Sequence, residues 1–184
     1  TEMSRCIHCT RCVRFGEEVG GIAEIGGTGR GDHMEIGTYV QKSLSSELSG
    51  NIIDLCPVGA LLSKPFLYSA RAWELQSYLS IAPHDAVGSN IKIQTRNGKI
   101  MRVVPADNEE VNESWISDRD RFSYLGANES RVTSPMVRNS SGNLVETNWQ
   151  AALDTVIKSF TEIIATDGGS AVGAIASPSS SVEE

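Results

Sequence analysis

Three cysteines stand at equal intervals in the stretch SRCIHCTRCVRF, at Cys6, Cys9 and Cys12. The only other cysteine, Cys56, lies in NIIDLCPVGAL directly before Pro57. The chemistry this set offers is metal binding. A C-x-x-C-x-x-C run wraps a short loop around one compact object, so three sulfurs meet neighbouring corners while backbone N–H groups point into the same volume. That suits an iron–sulfur cubane, whose last ligand can come from far along the chain in a Cys-Pro pair. Proline fixes its own φ and removes a donor, which turns the chain where the thiolate must face inward. The alternative is a four-cysteine zinc site. Such sites usually present two C-x-x-C knuckles, whereas this chain divides three plus one.

Disulfides are a poor reading. The first three cysteines are too closely spaced to pair usefully with one another, and a chain with a sizeable core gains little from staples. A thiolate site of either metal belongs in a reducing compartment. Arg5, Arg11 and Arg14 surround the triple cysteine in a chain whose formal net charge is -7. Nearby cations favour thiolates and ease the binding of an anionic cluster, although a solvated basic face explains Arg11 and Arg14 equally well. His8, inside the motif, reads as a loop residue, because four cysteines already complete a site.

The elements that must position these thiolates follow from pattern. Val13, Phe15 and Val19 recur among polar residues up to Gly20-Gly21, which predicts a short helix with a glycine stop. The next segment has strand-like Ile22 to Ile25 and Glu35 to Val40 on either side of a glycine-rich stretch. Gly27, Gly29 and Gly31 form G-x-G-x-G, but no helix follows as a dinucleotide fingerprint requires, so tight turns account for them. SSELSGNIIDL reads as a helix leading into Cys56, capped by Ser45 or Ser46.

Residues 1–66 are thus expected to form one cluster-binding unit. From Trp73 the texture turns β-rich: WELQSYLSI is strand-like, and NIKIQTRNGKIMRVVP carries a hairpin signal at Asn97-Gly98. Asp107 to Glu113 reads as a solvated acidic loop. WISDRDRFSYLG offers Trp115, Phe122 and Tyr124 to a core, with Asp118 as a helix cap. After residue 126, PMVRNSSGNLVE suggests a second hairpin turning at Asn139 to Asn143. NWQAALDTVIKSFTEIIA has apolar residues at helical intervals and stops at Gly168-Gly169. SAVGAIAS reads as a short buried strand, and SPSSSVEE as a turn and the opening of a helix. The expected fold class is α+β.

The 184 residues, 40% of them hydrophobic, suffice for one full domain or two small ones. The acidic balance argues against nucleic acid and against anionic lipid. The longest apolar run, Ile52 to Leu62, is broken by Asp54 and falls short of the roughly 18 residues a membrane span needs. With Thr1 first and a cysteine already at position 6, the chain reads as a piece of a longer polypeptide. His8, His33 and His84 occupy no recognisable triad motif, so a hydrolase has little support.

Together, MSRCIHCTRCVRF, GTGRGDHMEIGTYV, SELSGNIIDLCPVGALLSKPF, DAVGSNI, NESWISDRDRF and PMVRN resemble, in order, the large iron–sulfur (75-kDa or G) subunit family of respiratory complex I, the NADH:quinone oxidoreductase. The likeness runs from Thr1 to about Leu153. It implies a [4Fe-4S] cluster on Cys6, Cys9, Cys12 and Cys56, with the family's earlier [2Fe-2S] and His/Cys-ligated clusters lying upstream. It implies three regions: a ferredoxin-like cluster domain over 1–66, a β-rich molybdopterin-oxidoreductase-like module without cluster cysteines over 67–125, and the truncated start of an α/β molybdopterin-oxidoreductase-like domain over 126–184. No molybdopterin or molybdenum is expected, since no cysteine follows Cys56. The implied role is to relay single electrons from NADH and flavin toward quinone, with no catalytic residue in this chain. The implied partners are other peripheral-arm subunits, including the flavin-bearing subunit and downstream iron–sulfur subunits. Contact with membrane would come only through the complex, at the cytoplasmic face of a bacterial inner membrane or the mitochondrial matrix side. A catalytic molybdenum enzyme with a ferredoxin-like front is the rival.

Overall fold

The loop of three cysteines runs directly into helix α1, Arg11–Glu18, in the computed structural model, which describes residues 1–38, 43–177 and 180. Phe15 is the buried residue of α1. The helix stops as expected at its glycines: the amides of Val19 and Gly20 both donate to Phe15 O, at 3.0 and 2.8 Å, and Gly21 takes a φ of +68°.

Strand β1 covers Ile25–Thr28 and pairs antiparallel with β2, Glu35–Thr38. The first strand therefore lies over the glycines rather than over Ile22 to Ile25. Gly27 faces Ile36 across the ladder, and a Cβ there would fall 2.9 Å from the Met34 methyl, so the missing side chain makes room for Met34. Gly29, at φ +76°, admits no side chain either, because a Cβ would sit 2.2 Å from His33 O. The end of the second expected strand, Val40, lies outside the described residues.

Helix α2 is Asn51–Leu55, shorter than the pattern suggests. Ser46 does cap, but it caps a turn: its Oγ accepts from the Leu48 amide at 3.3 Å. The helix proper starts after Gly50, for a reason that lies in the second segment. There, β3 (Gln76–Ile81), β4 (Asn90–Arg96) and β5 (Lys99–Pro105) form an antiparallel sheet in that order. Asn97 and Gly98, at φ 51° and 74°, make the expected tight hairpin turn between β4 and β5. Helices α3 (Asp118–Phe122) and α4 (Tyr124–Asn128) pack on β5. Ile91, Val103, Ala82, Ile116 and Tyr124 form the core.

The acidic residues of the 107–113 loop, Asp107, Glu109, Glu110 and Glu113, are all exposed as expected. The loop is held from within by Asn112, whose side-chain amide donates to Ala106 O, Trp115 O and Asn90 O at 3.2, 3.1 and 3.4 Å. One reading needs correction: the cap of α3 is Ser117, which accepts from the Asp120 amide at 3.1 Å, and not Asp118.

Segments 1–66 and 67–125 fall together in one compact unit, Thr1–Asn128. The second unit, Glu129–Glu184, holds the hairpin β6 (Met136–Arg138) and β7 (Leu144–Glu146) and helix α5, Trp149–Asp167, capped by Asn148. The hairpin and helix match their patterns. The expected strand at SAVGAIAS does not form: residues 172–177 join no ladder among the described residues, and Ile175 is fully exposed. A strand needs a neighbouring strand for its backbone groups, and the described residues supply none. The helix opening expected in the last residues falls on 178–179 and 181–184, outside those described.

Candidate metal centre

Each arm of the site is shaped before its sulfurs are. Residues Met3–Arg5 make a 3-10 turn that delivers Cys6, whose amide donates to Met3 O at 2.9 Å. His8 and Thr10, on either side of Cys9, both adopt left-handed backbone, at φ 53° and 59°. Each costs roughly 1 kcal/mol or more for a non-glycine residue, and the alternation curls the loop so that its sulfurs share one side. The Thr10 hydroxyl donates to Cys9 O at 2.8 Å and helps hold this turn.

Cys56 sits where α2 ends, its amide donating to Ile52 O at 3.1 Å. Pro57 and Gly59, the latter at φ +65°, fold the following residues back over its sulfur, and the Ala60 amide donates to Cys56 Sγ at 3.2 Å. The two arms are stitched together by the Glu2 amide, which donates to Ala60 O at 2.8 Å.

All four cysteines line one hollow, together with Ile7, Ile36, Val58 and Leu61. The sequence-predicted ligands are thus brought to one place. Cys9 is exposed and the other three are half-buried. A cluster takes one thiolate at each iron, so an apolar hollow lined by four cysteines, with the Ala60 amide donating to one of the sulfurs, fits it.

The two arms differ electrostatically. Burial pushes the Cys12 thiol above its ordinary value; the Val13 and Cys12 amides oppose this, and the Cys9 and Cys6 charges add to it. At Cys56 burial also pushes upward, but the amides of Leu61, Val58, Ala60 and Gly59 outweigh it and hold the thiol below the usual range. Arg11 lines the hollow, whereas Arg14 pairs with Glu18 at 3.3 Å on the surface. His8 lines a neighbouring groove with Asp32, His33 and Glu35, as a loop residue.

Pattern reading missed the supports of Cys56. Asn51, fully buried, donates to Leu48 O and Ile116 O at 2.9 and 2.8 Å, and its Oδ1 accepts from the Ile116 amide and Arg121 Nη2 at 3.2 and 2.9 Å. Arg121, also buried, donates to Asp54 Oδ2 at 2.6 Å. The available signal was two polar residues, Asn51 and Asp54, inside the otherwise apolar NIIDL.

Three family models divide the chain. The ferredoxin-like domain of NADH-quinone oxidoreductase subunit 3 matches residues 1–62, an NDSU1/NuoG-like 4Fe-4S domain of NADH-ubiquinone oxidoreductase matches 75–125, and molybdopterin oxidoreductase matches 131–184. The NADH-ubiquinone oxidoreductase 75 kDa subunit of Reclinomonas americana is 53% identical over 163 residues, 89% of this chain and 23% of the relative. The G subunit of NADH-quinone oxidoreductase from Rickettsia conorii is 53% identical, and that from Rickettsia felis 52% identical, each over 156 residues, 85% of the chain and 23% of the relative. The chain is a homologue of this 75 kDa (G) subunit family. It spans about a quarter of the length of these relatives. The homology supports a [4Fe-4S] cluster as the resident cofactor and an α+β chain of ferredoxin-like iron–sulfur domains followed by a molybdopterin-oxidoreductase-like region. Although the model matching 75–125 is a 4Fe-4S domain, that stretch holds no cysteine in this homologue. None of its helices is long and apolar enough to cross a membrane, among the described residues.

Proposed function

We propose that this chain is an electron-relay module of an NADH:quinone oxidoreductase, with Cys6, Cys9, Cys12 and Cys56 holding one [4Fe-4S] cluster. The observation that carries the reading is the single hollow lined by all four cysteines, Cys56 standing 44 positions after Cys12 in sequence. When bound, such a cluster takes up and gives back one electron at a time. The chain's own residues supply the rest. Ile36, Val58 and Leu61 keep water from one side of the hollow, the Ala60 amide steadies the Cys56 thiolate, and Arg11 offsets negative charge at the rim. The exposed Cys9 leaves the opposite side open to a neighbour.

On this reading the chain contains no acid–base or nucleophilic centre, and it carries no molybdopterin or molybdenum of its own. Its neighbours are other peripheral-arm subunits, the flavin-bearing one upstream and iron–sulfur subunits downstream, and it reaches the membrane only through that complex. The cytoplasmic face of a bacterial inner membrane, or the mitochondrial matrix side, is the corresponding location. The test is anaerobic reduction by NADH of the assembled oxidoreductase, followed by electron paramagnetic resonance. A Cys56→Ser variant that assembles should lose one reduced-cluster signal and NADH:quinone turnover together; an unchanged spectrum contradicts the assignment.

A further inference from the structure

The 75–125 segment holds no cysteine, yet three of its residues grip the start of the helix that ends at Cys56. Asp118 Oδ1 accepts from the Gly50 amide at 2.6 Å, and Oδ2 accepts from the Ser49 hydroxyl at 2.5 Å. The Asp118 amide in turn donates to Glu47 O at 2.7 Å, so the turn before α2 is held from both backbone and side chain. One residue later, Asn51 exchanges hydrogen bonds with both backbone groups of Ile116. Arg121 crosses above Gly50, where a Cβ would lie 2.7 Å from its Cδ, to reach Asn51 and Asp54. From Asn51 to Cys56 the helix rises only about 8 Å, too short and too tightly wound to absorb a shift at its start.

We propose that Asp118, acting with Asn51 and Arg121, is a positioning residue for Cys56: the cysteine-free segment sets where the remote ligand stands relative to the triple-cysteine loop. This rests on Cys56 being the fourth ligand. The hydrogen bonds of Asp118 go to Glu47, Ser49 and Gly50 and not to the loop of Cys6, Cys9 and Cys12, so loosening Asp118 should affect the bond to one iron and leave the other three held. A general weakening of the fold would release the whole cluster instead.

The test uses the 184-residue chain, reconstituted anaerobically with iron and sulfide and then exposed to a ferrous chelator. In Asp118→Ala the first iron should leave about tenfold faster than in the parent while sulfide stays bound, since a charge-assisted pair of hydrogen bonds is lost. Asp118→Asn, which keeps an acceptor for the Gly50 amide, should restore most of the parent rate. Ser49→Ala removes one of the two bonds at a half-exposed position and should give a smaller change, about threefold, without unfolding the chain. Parent-like rates in both Asp118→Ala and Ser49→Ala overturn the proposal, as does iron and sulfide leaving together in Ser49→Ala. If the parent chain itself binds no iron and sulfide, the cluster assignment fails, and that failure is visible before any variant is made.

Discussion

Cys6, Cys9 and Cys12 are presented by a loop shaped mainly by its own residues, whereas Cys56 is presented by a helix anchored to a residue 68 positions away. The local arm stores its shape in two left-handed residues, His8 and Thr10. The remote arm stores its shape in buried hydrogen bonds donated by Asn51 and Arg121 and in a half-buried one that Asp118 accepts. The thiols follow the same division: burial raises Cys12, and a ring of amides lowers Cys56. The difference teaches that a ligand far off in sequence is made dependable by borrowing a second segment's fold. Phe15 adds a packing link between the arms' supports, its ring centroid 4.9 Å from that of Trp115.

Asn51→Ala should give the largest change. It leaves the Ile116 amide without an acceptor and the Ile116 carbonyl without its donor in a fully buried site, and takes one of the two acceptors of Arg121, which should cost about 3 kcal/mol or more in denaturant unfolding. A loss below about 1 kcal/mol would break the comparison, because the remote arm would not then depend on its distant partners. Gly50→Ala comes next. Its Cβ would meet Asp118 Oδ1 at 2.6 Å and Arg121 Cδ at 2.7 Å, both in side chains already held by hydrogen bonds. Overpacking of this kind costs about 1–3 kcal/mol, and a crystal structure of the variant should show α2 displaced.

The two thiols offer a pH test that touches neither fold nor packing. In the metal-free chain Cys56, with its pKa lowered, should become thiolate at lower pH than an ordinary cysteine, and Cys12, with its pKa raised, at higher pH. Alkylation followed by peptide mass spectrometry from pH 6 upward, below the usual thiol pKa of about 8.5, should therefore label Cys56 before Cys12. The reverse order would show that the amides around Cys56 do not outweigh its burial. Thr10→Gly should have the smallest effect: relief of left-handed strain is offset by greater freedom when unfolded, leaving stability within about 0.5 kcal/mol.

What the sequence makes legible divides along the same line. Cysteine spacing reveals the local arm, and Cys-Pro with the family likeness points to the fourth ligand, because both signals sit in a few adjacent letters. The Asn97-Gly98 hairpin, the glycine stop of α1 and the period of α5 are legible for the same reason. Asp118 reads in sequence as the cap of its own helix, since Ser49 and Gly50 are its partners only in space. The acidic look of 107–113 hides Asn112, whose role depends on carbonyls of Asn90, Ala106 and Trp115. In the second unit, α5 forms from its own period while the 172–177 stretch joins no ladder among the described residues, because a strand cannot be satisfied by its own residues.

The most direct test of one cluster shared by both arms is the iron, acid-labile sulfide and zinc content of the anaerobically reconstituted chain, with electron paramagnetic resonance after reduction. The account expects about four irons and four sulfides per chain with a reduced-cluster signal. About one zinc, with neither sulfide nor signal, would contradict it and make the four cysteines a structural site.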